Sequence, residues 1–184
     1  MSSNLRVIAG AYRGRRLQAP RGRVTRPTSA RVREALFSIL GDIEGARVLD
    51  LYAGSGALAL EALSRGAASV VLVEHDRAAL ACIRENIEAL AVSERARVLP
   101  LRARSALGAL GSEVFDLVLC DPPWDVLADA CAVLTELASR SRLAEEARIV
   151  LEHSARDAEP EVLGLAAYDR RRWGDTAVSL FRLV

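Results

Sequence analysis

At 184 residues, with 51% hydrophobic residues and a formal net charge of +1, the chain has the length of one domain and no charge excess that points to a partner. No apolar stretch approaches the roughly 18 residues of a membrane span, and scattered arginines follow residues 1–6 where a signal peptide would have its apolar segment; a cytoplasmic protein without membrane contact is expected. Cys82, Cys120 and Cys131 are odd in number and lack C-x-x-C spacing, and His75 and His153 stand far apart, so neither a disulfide framework nor a metal site is expected.

The charge is unevenly spread. Residues 1–33 carry nine arginines and no acid, while the remaining sixteen arginines face twenty-four acids, so +9 stands against −8. Every basic residue is arginine, whose planar fork suits phosphate oxygens. In chain order, residues 6–9 and 15–18 flank a turn-rich piece containing Gly10 and Gly14, which predicts a small two-stranded element. Pro27 precedes the possible N-caps Thr28 and Ser29, and Val32, Leu36, Ile39 and Leu40 form the apolar stripe of a helix that ends near Gly41.

From there short apolar runs rich in Val, Leu and Ile, at 47–51, 69–74, 97–101, 115–120 and 148–152, alternate with helical stretches at 55–65, 77–90, 105–110 and 126–139. Such runs read as parallel strands buried on both faces, and the alternation as a doubly wound α/β sheet with its sites at the carboxyl ends of the strands. The last twenty residues read differently: two strand-like runs flank Trp173-Gly174-Asp175, which predicts an antiparallel hairpin on the sheet edge. A second basic cluster, Arg170 to Arg172, lies in the first of them.

Two segments carry chemistry. Asp50-Leu51-Tyr52-Ala53-Gly54-Ser55-Gly56 stands where the first strand turns into a helix; its glycines allow a ligand close to the backbone, and the helix N-terminus offers free N–H groups. Eighteen residues after Gly56, Glu74 ends the second strand, where a carboxylate can accept hydrogen bonds from ribose hydroxyls; His75 follows. Alone, these features also fit a dinucleotide-binding oxidoreductase. At the end of the fourth run stand Asp121-Pro122-Pro123-Trp124, which resemble the strand-end sequence of amino-methyltransferases. An exocyclic base amine is a poor nucleophile, because its lone pair is delocalised into the ring. Asp121 and the Pro122 carbonyl can accept its two N–H groups and aim the lone pair at a methyl sulfonium. Proline fixes φ and adds no competing N–H, and Trp124 offers a face for an unstacked base.

With residues 6–10, 13–15, 25–28, 32–37, 50–67, 121–123 and 173–176 taken together, the chain resembles the RsmD family of bacterial enzymes that make N2-methylguanine in 16S ribosomal RNA. The resemblance covers essentially the whole chain. It implies a seven-stranded class I methyltransferase fold, Rossmann-like and mostly parallel, with S-adenosylmethionine as cofactor and 16S RNA, within a small subunit or an assembly intermediate, as partner. It divides the chain into a basic extension, 1–41, that contacts RNA and helps close the pocket, and a catalytic domain, 42–184, acting as a monomer. By position, Asp50, Tyr52, Gly54, Ser55, Gly56, Glu74 and His75 would line the cofactor, with Arg26 and Thr28 near its amino-acid end. Asp121, Pro122, Pro123 and Trp124 would hold the guanine, and Arg6, Arg13, Arg15 and Arg16 would meet RNA. The stretch Arg102-Ala103-Arg104-Ser105 departs from the family, where a polar or acidic side chain often meets the adenine, and leaves backbone groups or Ser105 as the candidates. Adenine in DNA or RNA, or a protein glutamine, stays open as acceptor, as does a non-catalytic nucleic-acid-binding module on the same fold.

Overall fold

A computed structural model describes residues 5–20 and 30–184. Seven strands form one sheet in the order β3-β2-β1-β4-β5-β7-β6. The strands are β1 (Arg47–Leu51), β2 (Ser69–Val73), β3 (Ala96–Leu99), β4 (Phe115–Cys120), β5 (Leu143–Ser154), β6 (Leu165–Trp173) and β7 (Thr176–Leu183). The first five pair in parallel, and β7 runs antiparallel between β5 and β6. This is the expected mostly parallel sheet with a C-terminal hairpin at its edge.

Because successive strand side chains face opposite ways, the apolar runs feed two cores. Val48, Val70, Leu72, Leu117 and Leu119 pack with helices α1 (Ala30–Leu40), α2 (Ala57–Ser64) and α3 (Arg77–Leu90). Leu49, Leu51, Val71, Val118 and Cys120 pack on the other face with α4 (Ala103–Ala109) and α5 (Leu127–Ser139). Val7 and Leu17 of the N-terminal segment join the first core. No helix among the described residues is long and apolar enough to cross a membrane.

Several boundaries differ from the sequence reading. The front element is one antiparallel bridge, Arg6 to Arg16, closed by the Val7 N–H on the Arg15 carbonyl at 3.0 Å. The Ile8, Ala9, Ala11 and Tyr12 N–H groups go instead to α2, and Gln18 to α3, so no longer strand ladder forms. β2 ends at Val73, one residue before Glu74. β3 stops at Leu99 because Pro100 has no N–H to continue the ladder, and the Leu101 N–H turns back to the Leu99 carbonyl at 2.9 Å. α4 begins at Ala103, two residues early. α2 begins only at Ala57, because Gly54 and Gly56 hold φ at 56° and 77°, outside helical space. β5 is twelve residues long where 148–152 was expected, and pairs Leu143 with Phe115 ahead of a register shift.

Candidate active site

The register places the candidate residues at one edge of the sheet. Leu51 pairs with both Val73 and Cys120, so the next residues, Tyr52, Glu74 and Asp121, leave the carboxyl ends of three adjacent strands together. At the usual strand spacing, β2 and β4 stand about 10 Å apart across β1. That gap is roofed by the glycine turn.

The turn is held from three sides. Asp50, 1% exposed, reaches from β1 to accept the Ala59 N–H of α2 at 3.1 Å, while its second oxygen, Oδ1, is buried without a hydrogen-bond partner. Glu74 accepts the Gly54 N–H at 2.9 Å on one oxygen and the N–H groups of His75 and Asp76, at 2.7 and 2.8 Å, on the other. Asn86 of α3 donates to the Ser55 carbonyl at 2.9 Å. Tyr52 takes a left-handed backbone at φ 63°, and burial, followed by Cys120 and Asp129, raises its phenol. A β-carbon on Gly54 would meet nothing closer than the Tyr52 carbonyl oxygen at 4.0 Å, so the backbone there is open to a ligand.

Three carboxylates share this edge. Burial pushes the Asp50 carboxyl well up; the Ala59 N–H opposes the shift, and the charges of Asp121 and Glu74 add to it. A site so rich in negative charge suits a ligand with positive charge at its centre, and an orphaned buried carboxylate oxygen suits a hydrogen-bond donor. S-adenosylmethionine, which carries a sulfonium and an ammonium group, has that character, and these residues fit it. The fit narrows the role expected of Glu74: with three of about four lone-pair sites in use, it has room for one ribose hydroxyl unless an internal bond opens.

At the end of β4, Pro123 is extended at φ −53° and ψ 136°, and its carbonyl accepts the Val126 N–H at 3.0 Å, closing a single 3₁₀ turn, Trp124–Val126. That leaves the Pro122 carbonyl as the candidate acceptor beside Asp121. Trp124 is 38% exposed, a large apolar surface left accessible at the mouth of the site. His75 is an exposed neighbour, with Nδ1 3.5 Å from Glu74. Ser105 is exposed on α4. Arg26 and Thr28 lie outside the described residues.

The basic segment is docked on the core through α2. Glu61, fully buried, accepts the Ile8 and Ala9 N–H groups at 2.7 and 3.0 Å and the Arg65 Nε at 2.8 Å, with Arg33 Nε 3.9 Å away. Ser64 accepts the Tyr12 N–H at 2.9 Å through its hydroxyl and the Ala11 N–H at 2.8 Å through its carbonyl. Gly10 is required here: a β-carbon would fall 1.7 Å from the Ser64 carbonyl oxygen. Asn86 completes the attachment, exchanging bonds with the Gln18 N–H at 2.6 Å and carbonyl at 3.0 Å while holding Ser55. One side chain thus joins the basic segment to the glycine turn. Sequence reasoning missed both anchors, although each left a signal: Glu61 is the one charge in α2, and Asn86 interrupts the apolar stripe of α3 next to Ile87. Of the candidate RNA contacts, Arg13, Arg15 and Arg16 are exposed, although Arg15 also donates to the Ala89 carbonyl of α3, and Arg6 is half-buried and donates to the Gly14 carbonyl at 2.8 Å.

A family model described as Conserved hypothetical protein 95 matches residues 5–182. The chain belongs to this family. A Bacillus subtilis (strain 168) relative, provisionally named rRNA methyltransferase YlbH, is 35% identical over 182 residues, covering 97% of this chain and 98% of the relative. Ribosomal RNA small subunit methyltransferase D of Escherichia coli (strain K12) is 40% identical over 164 residues, 88% of this chain and 80% of its own. An Escherichia coli structure, provisionally titled methyltransferase yhhF, superposes with a TM-score of 0.85 at 38% identity and 97% coverage of both chains. The family therefore spans the N-terminal segment as well as the sheet, and the fold is that of the class I methyltransferases.

Proposed function

We propose that this chain is an S-adenosylmethionine-dependent methyltransferase of ribosomal RNA whose acceptor is the exocyclic N2 of a guanine in the small-subunit 16S RNA. The carrying observation is the placement of Asp121-Pro122-Pro123-Trp124 at the end of β4, directly beside the glycine turn of β1, with Asp121 close enough to Asp50 to raise its pKa. The family relation to Escherichia coli small subunit methyltransferase D supports the RNA class.

In this reading the glycine turn, Asp50, Tyr52, Ser55, Glu74 and His75 hold the methyl donor, which supplies an electrophilic methyl group. Asp121 and the Pro122 carbonyl each accept one N–H of the guanine amine, which draws the lone pair out of conjugation with the ring, localises it on nitrogen and aims it at the donor. These bonds strengthen as the nitrogen gains positive charge, so they favour the transition state over the bound base. Trp124 receives the face of the unstacked base. Arg6, Arg13, Arg15 and Arg16 supply phosphate contacts that position the RNA without reading sequence. Residues 1–41 act as the RNA-contacting, pocket-closing extension of the catalytic unit 42–184, with Arg26 and Thr28 near the donor's amino-acid end and Ser105 on the adenine side. The protein acts as a monomer in the cytoplasm on the small subunit or its assembly intermediate.

Transfer of a tritiated methyl group to small-subunit RNA, assembled small subunits, duplex DNA and ribosomal protein tests the reading. Label in small-subunit RNA or particles is expected; label in DNA or protein alone would refute it.

A further inference from the structure

We propose that the groove between α1 and the edge strand β6 is a second RNA-binding surface, which receives the single-stranded backbone flanking the target base. The inference rests on the RNA methyltransferase reading above. The groove has a volume of about 490 Å³ and is lined by Ala35, Ser38 and Ile39 from α1 and by Arg171, Arg172 and Trp173 from β6. Its chemistry is that of a nucleic-acid cradle: an apolar floor, a hydroxyl and two exposed arginines on its β6 wall, with no acid among the described lining residues. Arg171 pairs with Asp169 at 3.0 Å at its rim, whereas Arg172 donates through Nε to the Gly174 carbonyl at 3.0 Å and has no ion pair among the described residues.

The fold directs this groove at the active site. Trp173 pairs with Thr176, and Thr176 with Ser154, the last residue of β5. Since β5 runs parallel to β4, the tip of the hairpin lies at the sheet edge where β4 delivers Asp121. The N-terminal end of α1 points toward the same edge. Arg148, which is opposite Leu117 in mid-strand, holds the Leu40 and Asp42 carbonyls, while Ala35 and Ser38 face Arg171 to Trp173 farther along. One end of the groove therefore reaches the same sheet edge as the end of β4, about three strand spacings, or about 14 Å, away across β5 and β7. It lies on the β4 side of β1, away from the glycine turn, so an RNA strand can follow it without crossing the methyl-donor site.

Arginines on an edge strand also have a purely structural use, since charge there discourages pairing with another chain. That use involves β6 alone, not the α1 wall. The test therefore changes each wall separately. Methyl transfer to small-subunit RNA is measured across a salt series for the wild type, for Arg171→Ala with Arg172→Ala, and for Ser38→Glu, an exposed helix position where a carboxylate would repel phosphate. Expected are a KM for RNA raised roughly tenfold in both variants, the equivalent of about one charge-assisted hydrogen bond, with kcat and donor affinity unchanged. The slope of log KM against log salt should flatten by about 1.4 in the double variant, because two phosphates of a single strand would no longer meet an arginine. If the wild type is active and Ser38→Glu and the double variant match it in KM and slope, the groove is not an RNA path and the arginines guard the sheet edge. If the double variant melts early, Ser38→Glu alone decides. If the wild type methylates no RNA, the reading beneath the groove falls and the groove with it.

Discussion

Replacing Glu61 with Ala is expected to free the basic segment from the core while leaving each of its arginines in place. The carboxylate is fully buried and takes two backbone N–H groups, from Ile8 and Ala9, and the Arg65 Nε, with Arg33 beside it. Arg33 is 1% exposed; burial lowers its pKa, the Glu61 charge opposes that, and Arg65 adds to it. Without Glu61, two guanidinium groups face each other with no counter-charge. Removing one partner of a buried pair costs about 3–5 kcal/mol. The two N–H groups add little to that figure, because a segment that lifts away returns them to water. For a chain of this size each kcal/mol lowers Tm by about 2–4 °C, so a loss near 10 °C is expected. Urea unfolding gives the free energy, and limited trypsin digestion at Arg13, Arg15 and Arg16 reports whether the segment opens before the core does. RNA affinity should fall together with trypsin resistance. A Glu61→Ala protein within about 1 kcal/mol of the wild type, with its segment still protected, would refute the reasoning.

Other outcomes follow from the same geometry. Asp121→Ala should lower kcat for methyl transfer by about a hundredfold or more while leaving donor affinity near normal, because its bonds act on the acceptor in the transition state; steady-state kinetics beside donor calorimetry separates the two effects. Arg13, Arg15 and Arg16 changed together to Ala should weaken binding to every RNA sequence and flatten the salt slope by about 2 in filter-binding titrations, with donor binding intact. Asp50 supplies a pH test. Its folded pKa lies well above the ordinary 3.8, so its contribution to stability is fully present below about pH 4 and is lost as pH rises through the raised value. Asp50→Asn, which cannot ionise, should therefore gain on the wild type in urea midpoint between pH 4 and pH 8; parallel curves would contradict the assignment of a raised carboxyl.

What the sequence disclosed and what it hid differ in physical kind. The strands at 47–51 and 115–120 and the helix at 77–90 were legible because burial on two faces or along one stripe writes an apolar period into the chain. The hairpin was legible from Gly174 and Asp175, which form the whole two-residue link between Trp173 and Thr176. The first part of β5 was hidden because Glu145 and Glu146 are exposed there, so its local composition reads as surface. Hidden too was the docking of the basic segment, whose key bonds join backbone groups to Glu61 and Ser64 side chains across more than fifty positions. At the site, residue identities at the strand ends revealed the acid and the prolines. Only the fold could reveal that Glu74 already serves three backbone N–H groups and that Asn86 joins Gln18 to Ser55.

The acceptor atom is tested most directly by the product itself. Small-subunit RNA treated with the protein and a deuterated-methyl donor, then hydrolysed to nucleosides and resolved by mass spectrometry against standards, should yield labelled N2-methylguanosine, and Asp121→Ala should yield almost none. Label in N6-methyladenosine, or in a ribose or ring-carbon product, would contradict the guanine-amine account.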